Sequence, residues 1–401
     1  MRYVLTTWWR QWLVFTVLLC TVLQARAGVW SGYIGGDVRI FTNEAVSSQQ
    51  HDVYPGLVAD LEYRDQTQDG IAFVFSPFLR GDKYDNGRSH VDIRELLWTG
   101  RNEQYQWRAG IGRVFWGVTE FYHLVDIINQ ADFVENLDGE AKLGQPMVAL
   151  SFAHKWGVLA AYVLPGFRAR TFPGAEGRFH SAPPVDKNQA TFESSNGRLH
   201  VDWALRWSAS GYGWDIGLSR FEGTSREPRY LLGFDAYGQI ALAPRYDLIE
   251  QTGIDAQTTL GNWLWKFEAI NRIGESERFN AYTGGFEYTF VGIMGGHTDI
   301  GVIAEGMYDE RANRAPNFFQ DDVGFGLRLG FNDVQNSQIL FGVVVDHDYH
   351  TKIWKLEGSR RLGDKWKISI EGRRFKDVSV NDVVFGLRRD SYFQLGIARY
   401  L

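Results

Sequence analysis

Short runs in which apolar and polar side chains alternate recur along almost the whole chain. In the first run, Val29–Phe41, Trp30 and Ile34 fall on one face, whereas Asp37 and Arg39 fall on the other. This period of two is the pattern of a β-strand that separates an apolar from a polar environment. Its recurrence at strand length predicts an all-β protein built on one large sheet.

The runs number about 18, and because their boundaries drift by a few residues, 16 remains an alternative. Long and short connections alternate, so that the short turns collect at one end of the sheet and nearly all long loops at the other. An even strand number is what a bacterial barrel with both termini on the periplasmic side requires. The predicted strands cover residues 29–41, 56–65, 71–81, 90–100, 105–116, 147–155, 158–168, 199–208, 212–221, 246–258, 263–273, 279–291, 297–308, 323–332, 339–347, 353–362, 366–375 and 391–401. We therefore predict a transmembrane antiparallel β-barrel.

The composition suits such a barrel and argues against other classes. Aromatic residues make up 15% of the 401 residues and glycine accounts for 44 of them, yet 22% are charged and the mean hydropathy is −0.27. That is too polar for a bundle of membrane helices, but it suits a sheet with lipid on one face and water on the other. The net charge of −6, without a basic cluster, argues against nucleic acid as a partner. No repeat of the length of a β-propeller blade is present.

The last strand, in the sequence "SYFQLGIARYL", shows the alternation clearly. Phe393, Leu395 and Ile397 lie on one face, and Gln394 lies on the other. A chain that ends within such a strand is expected to pair it with a neighbour and so close the sheet. This strand resembles the terminal strand of Gram-negative outer-membrane β-barrels. The resemblance implies an outer-membrane location, contact with lipid, and recognition of this strand by the barrel-assembly machinery.

Residues 1–27 have the features of a secretory signal peptide. A positively charged start and an apolar run precede an A-x-A cleavage site that ends at Ala27. The run is shorter than the roughly 20 residues that a membrane-spanning helix needs. Cys20, the only cysteine, would be removed with this segment, which excludes disulfides and thiolate sites from the mature protein. Residues 28–401 would then form a single barrel domain.

Charged residues recur on the face opposite the apolar one. An arginine that faces lipid at the membrane midplane costs about 2–4 kcal/mol, so these charges are expected to point into the lumen. Taken singly, each one is expected to stiffen the wall through a paired charge; as a set, they indicate a polar, water-filled interior. They are Glu62, Arg64, Asp92, Arg94, Asp202, Arg206, Lys266, Glu268, Arg272, Arg328, Asp346, Lys355, Glu357, Glu371 and Arg373.

The most distinctive connection is residues 117–146. Phe121, Leu124, Val125 and Ile128 have helical spacing, which predicts a short helix. A long connection that mixes apolar and acidic residues is typical of a functional element rather than of a disordered segment. It resembles the third loop of general porins, which folds into the lumen and sets its width. Its "GR…WG…D…N…D" run is similar to one in families of Gram-negative porin-like proteins.

This resemblance implies an acidic constriction inside the barrel, and the alternative is a solvated external loop. Pore selectivity generally arises from charged side chains at a narrow point. The candidate pore-lining and constriction residues are Arg64, Arg94, Arg113, Glu120, Asp126, Asp132, Glu135, Arg206, Arg272, Arg328 and Arg373.

Catalytic signatures are missing from the sequence. There is no G-x-S-x-G motif or similar nucleophile elbow. The run "VVVDHDYHT" clusters Asp346, His347, Asp348 and His350, but neighbouring side chains of a strand alternate between faces, which favours a polar hairpin tip over a metal site. We predict that the protein is not an enzyme, that it needs no cofactor, and that it has no metal site.

Together these features predict an outer-membrane channel through which small hydrophilic solutes diffuse passively. The alternatives are a non-conducting barrel with a structural or partner-binding role, and a barrel that exports polysaccharide or another solute. A matched network of lumenal charges would favour the non-conducting barrel, whereas an excess of one sign would favour the channel. A homo-oligomer remains open, because porin-like trimers are common but the sequence identifies no subunit interface.

Overall fold

The described part of the protein forms two sheets, a closed one of 18 strands and a small one of three strands. The computed structural model describes residues 28–181, 183–274 and 277–401, so the predicted signal peptide lies outside the described residues. The strands of the closed sheet are β1 (Val29–Phe41), β2 (Val53–Gln66), β3 (Ala72–Asp82), β4 (His90–Arg101), β5 (Tyr105–Gly112), β6 (Gln145–His154), β7 (Gly157–Pro165), β9 (Val201–Gly211), β10 (Trp214–Thr224), β13 (Leu248–Leu260), β14 (Trp263–Gly274), β15 (Glu277–Gly292), β16 (Thr298–Asp309), β17 (Asp321–Gly330), β18 (Gln338–Asp346), β19 (Lys352–Leu362), β20 (Trp366–Lys376) and β21 (Tyr392–Tyr400). Those of the small sheet are β8 (Thr191–Phe192), β11 (Arg229–Phe234) and β12 (Ile240–Tyr246).

The large sheet is an antiparallel barrel in which each strand pairs with the next barrel strand along the chain. It closes where β21 pairs with β1, from Phe41 opposite Tyr392 to Tyr33 opposite Tyr400. The predicted strand number of 18 and the predicted closure by the C-terminal strand are both confirmed. The pairing of β1 with β21 is called the seam below.

The two faces of the barrel differ as the alternation predicts. Phe393, Leu395 and Ile397 on the outer face are 50, 55 and 49% exposed, whereas Tyr392 faces inward and is 1% exposed. Other large side chains exposed on the outer face include Trp214, Leu218, Trp263, Trp265 and Phe267. An apolar surface that surrounds the whole wall is stable against lipid and not against water, so the outer face is the lipid-facing one.

The two ends of the barrel have connections of different length. At one end, the turn end, strands join through short connections such as residues 155–156, 212–213 and 261–262. At the other, the loop end, the longest connections are residues 113–144 and 166–200. The first strand, β1, begins at the turn end, and the last strand, β21, ends there. In outer-membrane barrels the short turns are periplasmic and the long loops extracellular.

Two of the loop-end connections form structure that the sequence did not predict. Residues 166–200, here called the roof loop, contribute β8, which pairs in parallel with β12 of the next long connection. The roof loop also crosses the mouth of the barrel, because Arg178 lies 2.8 Å from Asp390, next to the seam. Strands this short have no periodicity that a sequence pattern could reveal.

In the part of the chain that the structure describes, helical structure is limited to single turns. They are α1 (Ile293–Gly296) and the 3₁₀ turns Lys187–Gln189, Gly197–Leu199, Ala312–Arg314 and Val383–Leu387. Among the described residues, no helix has the length and the apolar character needed to cross a bilayer.

Candidate functional site

Residues 113–144, here called the lumen loop, lie inside the barrel. The loop leaves β5 at Gly112 and returns to β6 at Gln145, which pair directly across the two strands, so it begins and ends at one point of the wall. Its middle is fully enclosed, since Val125 and Asp132 are both 0% exposed. The loop is therefore bounded by residues 113 and 144 rather than by the predicted 117 and 146.

The backbone of the lumen loop is irregular, and the predicted helix at residues 121–128 is not formed. A helix would bond its N–H groups to its own carbonyls. Here carboxylates of the wall accept them instead. Glu268 on β14 accepts from the N–H groups of Val118 (2.7 Å) and Val125 (3.1 Å). Glu305 on β16 accepts from the N–H of Glu120 at 2.9 Å. The helix prediction was wrong because the apolar spacing serves packing on the wall.

One side of the lumen loop is apolar and packs on the sector of the wall from β6 to β15. The wall supplies small or apolar inward side chains there, where an open pore would have polar ones. On the loop these residues are Val114, Trp116, Leu124, Val125, Ile127 and Ile128, and on the wall they include Met147, Ala149, Ala160, Ala204, Phe221, Ile270 and Ala281. Burial of these apolar side chains favours the inserted position.

The opposite side of the lumen loop is acidic and meets cationic side chains on the other strands. The pairs are Glu135–Arg80 on β3 (2.6 Å), Asp132–Arg94 on β4 (2.6 Å), Glu120–Arg328 on β17 (2.6 Å) and Asp138–Arg373 on β20 (3.1 Å). Burial alone would raise the pKa of Asp132, but the nearby His90, at 3.5 Å, and the charge of Arg94 lower it to about 2. Asp132 is therefore ionised at any physiological pH.

Phe121 of the lumen loop occupies a recess made by glycines of the wall. A Cβ atom on Gly324 of β17 would lie 2.6 Å from the phenyl ring, and one on Gly342 of β18 would lie 3.1 Å from it. Gly326 lines the same recess. The ring fits because these three inward positions carry no side chain.

His123 links the lumen loop to the wall by charge. Its Nε2 lies 2.8 Å from Glu140 and its Nδ1 lies 3.8 Å from Glu268. Burial by itself lowers the pKa of His123, but its hydrogen bond with Glu140 and the nearby carboxylate of Glu268 outweigh burial and raise the pKa to about 9. His123 is therefore an imidazolium at neutral pH.

We expect His123 to stabilise the protein at neutral pH and to lose this effect above about pH 9. Because its pKa in the folded state exceeds the ordinary 6.5, protonation favours the folded state. The contribution is complete below pH 6.5, falls as the pH rises, and is gone above about pH 9. His123→Gln should lower the free energy of unfolding by about 1–3 kcal/mol at pH 6 and by much less at pH 10, as measured by urea unfolding in lipid vesicles.

His154→Gln is the matched control, because His154 is exposed near the turn end and should give no pH-dependent difference. A loss of stability for His123→Gln that is equal at pH 6 and pH 10 would contradict the assignment of a charged His123.

The candidate residues from the sequence fall into two groups. Arg94, Glu120, Asp132, Glu135, Arg328 and Arg373 make the contacts between the loop and the wall that are described above. The others have partners elsewhere: Asp126 with Lys142 within the loop (2.8 Å), Arg206 with Asp255 (2.8 Å), Arg272 with Glu227 (2.7 Å), Arg113 with Glu95 (3.6 Å) and Arg64 with Glu62 (2.5 Å). Arg64 lies near the turn end of β2 with a side chain that is 67% exposed, away from the lumen loop.

Sequence reasoning missed Arg80, Glu305 and His123 as members of this site, and it placed Glu268 on the inner face without assigning it to the site. Glu305 has one available signal: it is the only charged residue between Asp299 and Asp309 on β16. A lone inward carboxylate on an otherwise apolar strand needs a partner from elsewhere.

A cavity of about 510 Å³ lies between the lumen loop and the connections at the loop end. Tyr122 and Phe133 of the lumen loop line one side, and Arg170 and Phe172 of the roof loop line another. A second, much smaller gap of about 40 Å³ lies between the lumen loop and β18–β20, where Lys355 is part of the wall.

The acidic and histidine cluster at the loop end is separate from this cavity. Ligand atoms of Asp321, His347 and Asp348 all lie within 4.8 Å of one another. His347 and Asp348 are exposed, and the His347 ring is 3.5 Å from Asp321. A contact between solvent-accessible polar side chains is sufficient to account for the cluster.

No protein-family model matches the chain, and no curated protein matches it. Among solved structures, the chain resembles OpdQ of Pseudomonas aeruginosa, with 12% identity, 94% of this chain and 99% of that chain covered, and a TM-score of 0.53.

Two further structures are similar in fold. Wzi of Escherichia coli is an outer-membrane protein involved in group 1 capsule assembly and is described as a carbohydrate-binding β-barrel. It has 10% identity to this chain and a TM-score of 0.52, and the match covers 97% of this chain and 87% of Wzi. A BenF-like porin from Pseudomonas fluorescens Pf-5 has 10% identity and a TM-score of 0.51, and the match covers 93% of this chain and 97% of that porin. The chain has the fold of porin-like outer-membrane β-barrels.

Proposed function

We propose that the protein is an outer-membrane channel for small hydrophilic solutes, with the lumen loop as its constriction. The observation that carries this proposal is the position of the loop, which contacts the wall on both sides of the lumen. It reaches Arg80 on β3 at 2.6 Å and Arg328 on β17 at 2.6 Å. A segment fixed on opposite sides narrows the barrel at a defined depth.

The passage is expected to follow the gap between the lumen loop and β18–β20. Leu137 and Asp138 of the loop face Lys355 and Arg373 of the wall there. Fixed charges of both signs beside a narrow gap orient polar solutes and exclude large ones. Conduction through such a gap requires only water and these side chains.

A second candidate function is a barrel that binds carbohydrate without conducting. It is favoured by the matching of the lumenal charges, since Arg80, Arg94, Arg328 and Arg373 all have carboxylate partners within 4 Å. Wzi is a barrel of similar fold that is described as carbohydrate-binding. On this view the lumen loop closes the barrel and the cavity above it holds the ligand.

Single-channel conductance in a planar bilayer tests the channel. The refolded protein is compared with a variant that lacks residues 119–142, which can fold because β5 and β6 are neighbours in the wall. We expect open steps from both proteins and larger steps from the deletion variant.

Steps of equal size in the two proteins would overturn the constriction and leave an unobstructed channel. Silence from both proteins, with folding verified by heat-dependent migration, would overturn the channel. Retention of the silent protein on a polysaccharide matrix would then support the second candidate.

A further inference from the structure

The cavity above the lumen loop has a wall of aromatic side chains. They come from the lumen loop, the roof loop and the connections before β13 and β17, so that rings approach the cavity from several sides. The aromatic residues are Tyr122, Phe133, Phe172, Phe179, Tyr230, Phe318 and Phe319. A concave site of 300–1,000 Å³ with a mostly apolar wall is typical of small-molecule binding, and this cavity of about 510 Å³ falls within that range.

Nearly all charged side chains of the cavity wall are neutralised by a partner. Each of the following has an opposite charge within 4 Å: Lys142 with Asp126, His123 with Glu140, Arg226 with Asp202, Arg272 with Glu227, and Asp138 with Arg373. These pairs leave the wall with little charge of its own. They also leave few free hydrogen-bonding groups.

Arg170 is the exception. Among residues 28–181, 183–274 and 277–401, no carboxylate lies within ion-pair distance of its guanidinium. Its Nη2 donates to the carbonyl of Arg226 at 3.1 Å, while its Nε is buried without a hydrogen-bond partner. The guanidinium lies over the ring of Phe133, 4.7 Å from the ring centroid, which fixes its plane.

A guanidinium that has no ion-pair partner and whose plane is fixed by a ring is preorganised to bind an anion. The charge of Glu227 acts on Arg170 only from beyond ion-pair distance. A partly buried charge without an ion-pair partner is unfavourable, and an anion that enters the cavity would relieve this cost. The planar donor fork of arginine matches the oxygens of a carboxylate or a phosphate. The aromatic wall beside it offers ring faces and edges on which a flat group can pack.

We propose that this cavity binds a small solute in which one anionic group is attached to a ring, with Arg170 holding the anion and the aromatic wall holding the ring. The inference builds on the proposed channel, because it names the class of solute that the channel would collect at its loop end. Carboxylate and phosphate share the required chemistry.

Binding to the purified full-length barrel in detergent micelles tests this proposal by titration calorimetry. The probes are phenylacetate, phenyl phosphate, the neutral phenylacetamide, and acetate, which has the charge but no ring. We expect phenylacetate or phenyl phosphate to bind at least tenfold more tightly than phenylacetamide and acetate. The tighter of the two anions identifies the anionic group.

Arg170→Gln should weaken the binding of the better anion by about tenfold or more, because charge-assisted hydrogen bonds are lost. It should leave phenylacetamide unchanged, which also shows that the variant is folded. Arg170→Lys keeps the positive charge but lacks the planar donor fork. Its affinity for the better anion should therefore lie between that of the unchanged protein and that of Arg170→Gln. The matched control is Arg198→Gln, an exposed arginine of the same roof loop, which should have no effect.

Equal affinity for phenylacetate and phenylacetamide would overturn the proposal, as would an unchanged affinity in Arg170→Gln. Acetate binding as tightly as the ring-bearing anions would overturn the role of the aromatic wall. The binding assay does not depend on conduction. Binding by a protein that is silent in bilayers therefore refutes only the channel, and conduction without binding refutes only this inference.

Discussion

Replacing Glu268 by Leu is expected to detach the lumen loop from the wall, lower the free energy of unfolding by about 3–5 kcal/mol and enlarge the conductance steps. Glu268 is 0% exposed and accepts hydrogen bonds from the backbone N–H groups of Val118, Thr119 and Val125. It also accepts from the Thr119 hydroxyl at 2.8 Å. Without the carboxylate, these donors stay buried without an acceptor, and the charged His123 loses a neighbour.

Urea unfolding in lipid vesicles measures the stability, and bilayer recordings measure the step size. Glu268→Gln keeps one acceptor oxygen and should give an intermediate result. Glu62→Gln is the matched control, because Glu62 is a wall carboxylate near the turn end that is paired with Arg64 at 2.5 Å, away from the lumen loop, and it should change neither quantity appreciably. Equal effects of Glu268→Leu and Glu62→Gln would mean that Glu268 does not hold the loop.

Arg178→Met is expected to free the roof loop from the seam and to cost about 3–5 kcal/mol of stability. The Arg178 side chain is 1% exposed, lies 2.8 Å from Asp390, and donates to the backbone carbonyl of Arg389 at 2.6 Å. Its removal leaves Asp390 buried, and burial already raises the pKa of that carboxyl. The next residue, Phe179, has φ 64°, a conformation that a bulky residue keeps only when its surroundings enforce it.

Hydrogen exchange and limited proteolysis of residues 166–181 provide the readout, because a detached roof loop exchanges and is cleaved faster. Arg198→Met changes an exposed arginine of the same loop and should leave both rates unchanged. If Arg178→Met leaves exchange in the roof loop as slow as before, then the contact with the seam is not what holds the loop in place.

The sequence was sufficient to predict the strands that form the wall of the barrel. The barrel strands separate lipid from an interior that is polar over much of the wall, so they show the alternation that places Leu395 outside and Gln394 inside. Local pattern and global fold agree along these strands, which is why the strand number and the closure at the seam could be predicted.

The interior could be predicted only in part. The spacing of Phe121, Leu124, Val125 and Ile128 indicates one apolar side, but it does not distinguish a helix from an irregular segment that packs on a wall. What decides between them is the pair of inward carboxylates at Glu268 and Glu305, which compete for the backbone N–H groups. These residues lie more than a hundred positions further along the chain, where no local pattern refers to them.

The contact of the roof loop with the seam could not be predicted either, because its two partners lie far apart along the chain. Arg178 and Asp390 are separated by 212 residues, and neither has an unusual sequence context. The unpaired state of Arg170 is equally a property of the assembled cavity. The charges could be placed on the inner face from sequence, but their partners could not.

The depth at which the lumen loop is held also constrains the order in which this barrel can assemble. The loop is made early, yet four of the residues that hold it lie 150, 185, 208 and 235 positions further along the chain, at Glu268, Glu305, Arg328 and Arg373. Contacts of such long range form late, after the entropy of closing long chain segments has been overcome. Once the barrel wall is closed, no gap between strands is left through which the lumen loop could enter the interior. The joining of the first and last strands should therefore be the final step, taken around an interior that is already filled.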